Sequence, residues 1–114
     1  MSFAAVQNVS PDAVPQGAPL LDVREPEEWL AGHAPGAVHI PIGQVVERLP
    51  EIRDAAAEQT LYVVCKVGGR SAQVAAYLAQ QGLDVVNVDG GLHAWQHAGR
   101  PLVAEQDGAE PFVL

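Results

Sequence analysis

A chain of 114 residues, 48% of them hydrophobic, is long enough for one ordinary core and too short for two. Its net charge of −8 repels phosphate backbones, which excludes nucleic acid as an expected partner, and no apolar run approaches a membrane span. The lone cysteine, Cys65, excludes an intrachain disulfide and fits a reducing compartment, so a cytoplasmic protein is expected.

The first ten residues, MSFAAVQNVS, carry no basic flank and no long apolar run, and do not read as a secretory signal. Val6–Val9 is a weak strand and Leu20–Val23 a better one. Pro26-Glu27-Glu28-Trp29-Leu30 has the proline and acids of a helix start, with Gly32 for its stop. Glu25, Glu27 and Glu28 there read as a first turn and a solvated face. Val38–Ile40 is a short strand, and Gly43–Leu49 predicts a turn or two of helix. Pro50 opens an alanine-rich helix over Glu51–Glu58, and Leu61–Val64 is a strong strand. In Ser71–Gln81 the residues Val74, Tyr77, Leu78 and Gln81 follow helical spacing, and Gly82 ends the run. Val85–Val88 is a second strong strand, followed by a helix over Gly91–Ala98 that Gly99 and Pro101 stop. Leu102–Leu114 is an acidic tail ending in PFVL, either a loosely packed terminus or a cover for a sheet edge or partner surface. Strands alternating with helices at short spacing predict an α/β sandwich of about five mainly parallel strands with helices on both faces. We expect one domain over residues 1–114, with 102–114 as its C-terminal tail.

The chemistry concentrates in YVVCKVGGRS, residues 62–71. Cys65 falls at the carboxyl end of a central strand, where ligands bind in open parallel sheets. The glycines of Lys66-Val67-Gly68-Gly69-Arg70 let the backbone turn its N–H groups inward, and the next helix adds its positive end. Two of only six Lys and Arg residues, Lys66 and Arg70, stand in this loop. A thiol ringed by N–H groups and two cations ionises below its free value, and the thiolate is the reactive form. A core cysteine before an ordinary Gly-Gly turn is the alternative, and it leaves the glycine pair, the cations and the helix start unexplained. Arginine follows Cys65 at the fifth position rather than the sixth, which is Ser71. The resulting C-x4-R cradle suits a compact anion or a single added sulfur better than a phosphoryl group. No Asp or Glu is placed by sequence near the loop to protonate a leaving alkoxide.

The chain resembles the single-domain rhodanese family of sulfurtransferases. LLDVREPEEW (Leu20–Trp29), GHAPGAVHIP (Gly32–Pro41), VVCKVGGRSA (Val63–Ala72) and VDGGLHAW (Val88–Trp95) carry the resemblance, in order, over residues 20–95. It implies a five-stranded parallel sheet flanked by helices. It also implies that Cys65 takes a sulfane sulfur from thiosulfate or a similar donor, becomes a persulfide, and passes the sulfur to cyanide or a thiol. The backbone N–H groups of residues 66 to 70 then stabilise the sulfur anion, while Lys66 and Arg70 orient an anionic donor. Ser71 adds a hydroxyl or, preferably, caps the helix. The reaction implied needs no metal or organic cofactor. Phosphatases related to the family carry a loop one residue longer, which argues against phosphoryl chemistry here.

Asp22 and Arg24 are read first as a structural ion pair at the same rim, with Arg24 as a further candidate for touching substrate. His33 is read as a packing and hydrogen-bonding residue, and Trp29 and Trp95 as packing. His93 and His97 have the spacing of a zinc pair but lack the intervening glutamate and a third ligand. Three functions compete: a thiosulfate-type sulfurtransferase, a sulfur carrier whose donor is a partner protein in a relay, and a small-anion phosphatase or reductase. The loop cations favour the first, and the C-x4-R spacing disfavours the third.

Overall fold

The computed structural model describes residues 6–105 and 108–114. The first five residues of the segment read for a signal, and residues 106 and 107 of the tail, lie outside the described residues.

Five parallel strands form one sheet in the order β1-β5-β4-β2-β3: β1 (Asn8–Val9), β2 (Leu20–Asp22), β3 (Val38–His39), β4 (Leu61–Val64) and β5 (Val85–Val88). The expected α/β sandwich is therefore present. The helices are α1 (Pro26–Ala31), α2 (Leu49–Ala56), α3 (Gly69–Gln80) and α4 (Gly91–His97), with single 3-10 turns at Pro11–Ala13 and Ile42–Gln44. The Gly43–Leu49 region thus contributes one 3-10 turn, after which α2 starts two residues before the expected Glu51.

β4 and β5 are buried at nearly every position because helices cover both faces, which is why neither shows an apolar-polar alternation. The pleat still sorts them. Leu21, Val23, Leu61, Val63, Cys65 and Val85 join Ile52 and Ala56 of α2 and Val74, Ala75 and Leu78 of α3 in one cluster. Leu20, Val64 and Val88 join Leu92 and Trp95 of α4 in the other. Side chains two apart share a face, so Cys65 is turned toward the α3 side by the same alternation that seats Val63 there. Asn87 follows Val85 onto that side.

The tail's backbone is hydrogen-bonded to the segment around Gly32 at Val103 and at Phe112. Val103 and His33 exchange backbone hydrogen bonds of 2.9 and 2.8 Å, and Phe112 N–H donates to Ala31 O at 3.0 Å. Phe112 backbone lies so close to Gly32 that a Cβ there would collide with its carbonyl oxygen. Gly32 therefore does more than end α1: it admits the returning chain.

Candidate active site around Cys65

β4 ends at Val64, and its backbone leads straight into Cys65, which is 1% exposed. The chain then reverses through Lys66, Val67 and Gly68. Gly68 has φ +106°, a conformation side chains resist, and it opens α3. This turn folds the loop over the sulfur: Gly68 N–H donates to Cys65 Sγ at 3.1 Å and the Ser71 hydroxyl lies 3.3 Å from it. The loop's carbonyls are held on the opposite side, where Leu92 N–H donates to Cys65 O at 2.8 Å and His93 N–H to Lys66 O at 2.9 Å. The first turn of α4 thus fixes which way the loop's peptide units point.

Burial pushes the Cys65 thiol up, because a buried thiolate loses its water. The Ser71 hydroxyl and the N–H groups of Ser71, Gly68 and Val67 outweigh that cost and leave the thiol below its ordinary value. Among the described residues the N–H group in hydrogen-bond geometry with the sulfur is that of Gly68, which lies within the expected run from 66 to 70.

Four sequence expectations change. Ser71 does not cap α3, which starts at Gly69; it sits one residue past Arg70 inside the first turn and is fully buried. Its hydroxyl faces Cys65 Sγ and Asn87 Oδ1 instead. Second, an acid does stand at the loop. Both Glu28 oxygens accept from Arg70, at 2.7 and 2.9 Å, and Glu28 Oε1 also accepts from Glu25 N–H at 3.0 Å. Arg70 holds the Glu28 carboxyl down to about 2, so it is ionised across the working range. Glu28 is accordingly not part of a solvated face: its side chain is 14% exposed. Sequence distance hid this pair, since 42 residues separate the partners. The one available signal was that Glu28 sits at the third helical position of α1, next to a strand end at the same rim.

Third, Arg70 is not a free cation; its guanidinium is committed to Glu28. Lys66 is partly exposed and forms no ion pair among the described residues. Fourth, Arg24 is closed off from solvent at the rim where it is a candidate for touching substrate. It is fully buried, with Nη2 donating to Asp22 Oδ2 at 2.8 Å and to Gly32 O at 2.7 Å. Its Nη1 has no partner among the described residues. The preferred reading of Asp22 and Arg24 as a structural pair matches this geometry: Asp22 Oδ1 also accepts from Arg24 N–H at 3.0 Å and orders the turn after β2.

His33 stacks on Trp29 with ring centroids 3.5 Å apart and bonds Ala34 O and Glu105. His39, on β3, stacks on the same indole at 4.8 Å, and its Nε2 donates to Arg24 O at 2.7 Å. These rings buttress the rim rather than face the sulfur. Trp95 is core, 2% exposed. Among the described residues no three His, Cys, Asp or Glu side chains converge as metal ligands.

A loop of this shape belongs to a recognisable group. Residues 6–98 match the model of the rhodanese-like domain. Over 82 residues the chain is 43% identical to the putative sulfurtransferase YtwF of Bacillus subtilis (strain 168), covering 72% of this chain and 77% of that protein. It is 42% identical to the thiosulfate sulfurtransferase GlpE of Pseudomonas syringae pv. syringae (strain B728a), covering 71% of this chain and 74% of the relative. Among solved structures, a rhodanese-related protein from Thermoplasma volcanium superposes with a TM-score of 0.78 at 32% identity, over 87% of this chain and 99% of that one.

Proposed function

We propose, from the premise that this chain belongs to the rhodanese-like family, that it is a sulfurtransferase working through a persulfide on Cys65. The observation that carries this reading is the sulfur itself: Cys65 Sγ stands inside a six-residue loop with an amide and a hydroxyl within 3.1 and 3.3 Å. A cradle of that size stabilises one negatively charged sulfur.

In the first half-reaction the Cys65 thiolate attacks the outer sulfur of thiosulfate or a similar donor. The donor's S–S bond breaks, and its electron pair leaves with sulfite. In the second, a thiol or cyanide attacks the outer sulfur of the Cys65 persulfide, and the Cys65 thiolate departs. The Gly68 N–H and the Ser71 hydroxyl face the sulfur that gains and loses charge in both halves. Gly69 and Arg70 complete the loop, and Lys66 supplies the rim charge that draws an anionic donor.

The test is intact mass after incubation with thiosulfate. One sulfur atom is added, cyanide or a reductant removes it, and Cys65→Ala does not acquire it. If thiosulfate leaves Cys65 unmodified while a persulfide-bearing protein loads it, the sulfur-carrier function replaces this one. If no sulfane donor loads it, sulfur transfer is wrong.

A further inference from the structure

Ser71 has one hydroxyl proton and three acceptors in reach. Its Oγ lies 2.6 Å from Asn87 Oδ1, 3.3 Å from Cys65 Sγ and 3.3 Å from Gly68 O. One donor satisfies one acceptor well at a time. A neutral thiol is a weak acceptor and loses to an amide oxygen at 2.6 Å. A thiolate is a charged acceptor, and hydrogen bonds to charged groups are about twice as strong. The preferred partner of the Ser71 proton therefore changes with the charge on the sulfur.

Asn87 is held so that only its oxygen can compete. Its Nδ2 lies 3.3 Å from Gly68 O, a carbonyl that can only accept, and 2.9 Å from Asn8 Oδ1. Those contacts fix the nitrogen on one side and leave Oδ1 facing Ser71. The backbone is fixed as well, since Asn87 N–H donates to Gln7 O at 2.9 Å and the residue pairs in register with both Asn8 and Val63. Asparagine is a poor strand residue, and a buried amide costs free energy unless fully bonded. Asn87 is 3% exposed, between Val86 and Val88.

We propose that Asn87 is a positioning residue for Cys65: its carbonyl holds the Ser71 hydroxyl while the sulfur is uncharged and yields it when the sulfur carries charge. The purpose rests on the sulfurtransferase function; the hydrogen-bond competition does not. A hydroxyl donating permanently to Cys65 stabilises the thiolate but blunts it, because nucleophilicity falls as a thiol's pKa falls. Because the hydroxyl must leave Asn87 to reach the thiolate, the net stabilisation is smaller, the thiol's pKa falls less and more of the thiolate's nucleophilicity is kept. Once the persulfide forms, Sγ is the uncharged inner sulfur and the hydroxyl returns to Asn87. No covalent bond changes in this step; only a hydrogen bond moves.

The experiment is the pH dependence of Cys65 alkylation by iodoacetamide, which requires no sulfur donor and so stands or falls apart from sulfur transfer. Four proteins are compared: the native chain, Asn87→Val, Ser71→Ala and the double variant. Asn87→Val moves the alkylation midpoint to lower pH by roughly half a unit to one unit, and Ser71→Ala moves it to higher pH. The fully ionised Asn87→Val thiolate reacts about two- to threefold more slowly than the native one. In the Ser71→Ala background Asn87→Val moves the midpoint no further. An unmoved midpoint in Asn87→Val, or the same movement in both backgrounds, overturns the proposal. Should Asn87→Val not fold, Asn87→Ala removes the same acceptor and carries the same expectations.

Discussion

Arg70 and Glu28 meet with two parallel hydrogen bonds, and each sets the other's behaviour. Glu28 falls from 4.5 to about 2, so the pair contributes stability that is fully present above the unfolded value and is lost as pH falls through the folded one. At about 1.4 kcal/mol per pKa unit this is about 3 kcal/mol, which solvent screening at a partly exposed pair brings down to about 2, and roughly half of it is gone by pH 3. Glu28→Gln should therefore lower the urea-derived stability by about 2 kcal/mol at pH 7 and by about half as much at pH 3. A gap that stays constant between the two pH values would place the loss in packing rather than in the ion pair. The same pairing bears on donor choice. Arg70→Ala should raise KM for thiosulfate more than for an uncharged persulfide donor, since it leaves the Glu28 carboxylate uncompensated beside an approaching anion. Equal effects on both would remove charge steering from the role of Arg70.

At the scale of elements, the site is made where α4 meets the loop after β4. Gly91 has φ +60°, and a Cβ on it meets Cys65 O and the Lys66 carbonyl at 2.5 Å. Gly91→Ala therefore combines left-handed strain with a backbone clash, and should cost at least about 2 kcal/mol. Gly17→Ala is the control, because Gly17 has φ +79° with nothing within 4 Å and bears the strain alone, about 1 kcal/mol. Thermal unfolding separates the two, and only Gly91→Ala should also raise the Cys65 alkylation midpoint by turning the loop's N–H groups away. If the two variants behave alike, α4 does not set the loop. This junction also marks how far the sequence could be read. LYVV, VVNV and the Ser71–Gln81 periodicity announced β4, β5 and α3, since burial on both faces leaves unbroken apolar runs and α3 keeps one apolar face. The cysteine, the glycines and the helix start of the loop were equally legible, because they are local. Contacts between distant segments were not. Glu28 against Arg70, Asn87 against Ser71 and Phe112 against Gly32 depend on the order β1-β5-β4-β2-β3, which no local pattern encodes. Ser71 itself looked like a cap because it follows the loop, and only the earlier start of α3 at Gly69 turns its hydroxyl onto the sulfur.

Over the whole molecule, charge works against the anionic donor proposed for the loop. The chain carries −8 with only six Lys and Arg residues. Arg24 is bonded to Asp22, Arg48 to Glu51 and Arg70 to Glu28. Arg53 donates to Gln81 O, and Arg100 donates to Pro11 O and Val14 O while lying 4.4 Å over the Trp95 ring. Lys66 is thus the one cation with no carboxylate or carbonyl partner among the described residues. The molecule has a radius of gyration of 13.2 Å. At about 20 mM salt the screening length is about 20 Å, so a dianion approaching Lys66 feels nearly every acid on the surface. At about 150 mM it shrinks to about 8 Å, and only the rim is felt, where Glu28 and Arg70 cancel and Lys66 attracts. The second-order rate of Cys65 loading by thiosulfate should therefore rise a few-fold between these two salt concentrations, while loading by an uncharged persulfide donor stays flat. Stopped-flow or quenched mass measurement of the loaded fraction gives both rates. A thiosulfate rate that falls with salt would mean that Lys66 and Arg70 together outweigh the net charge at long range, and that the Glu28 ion pair opens before the donor arrives.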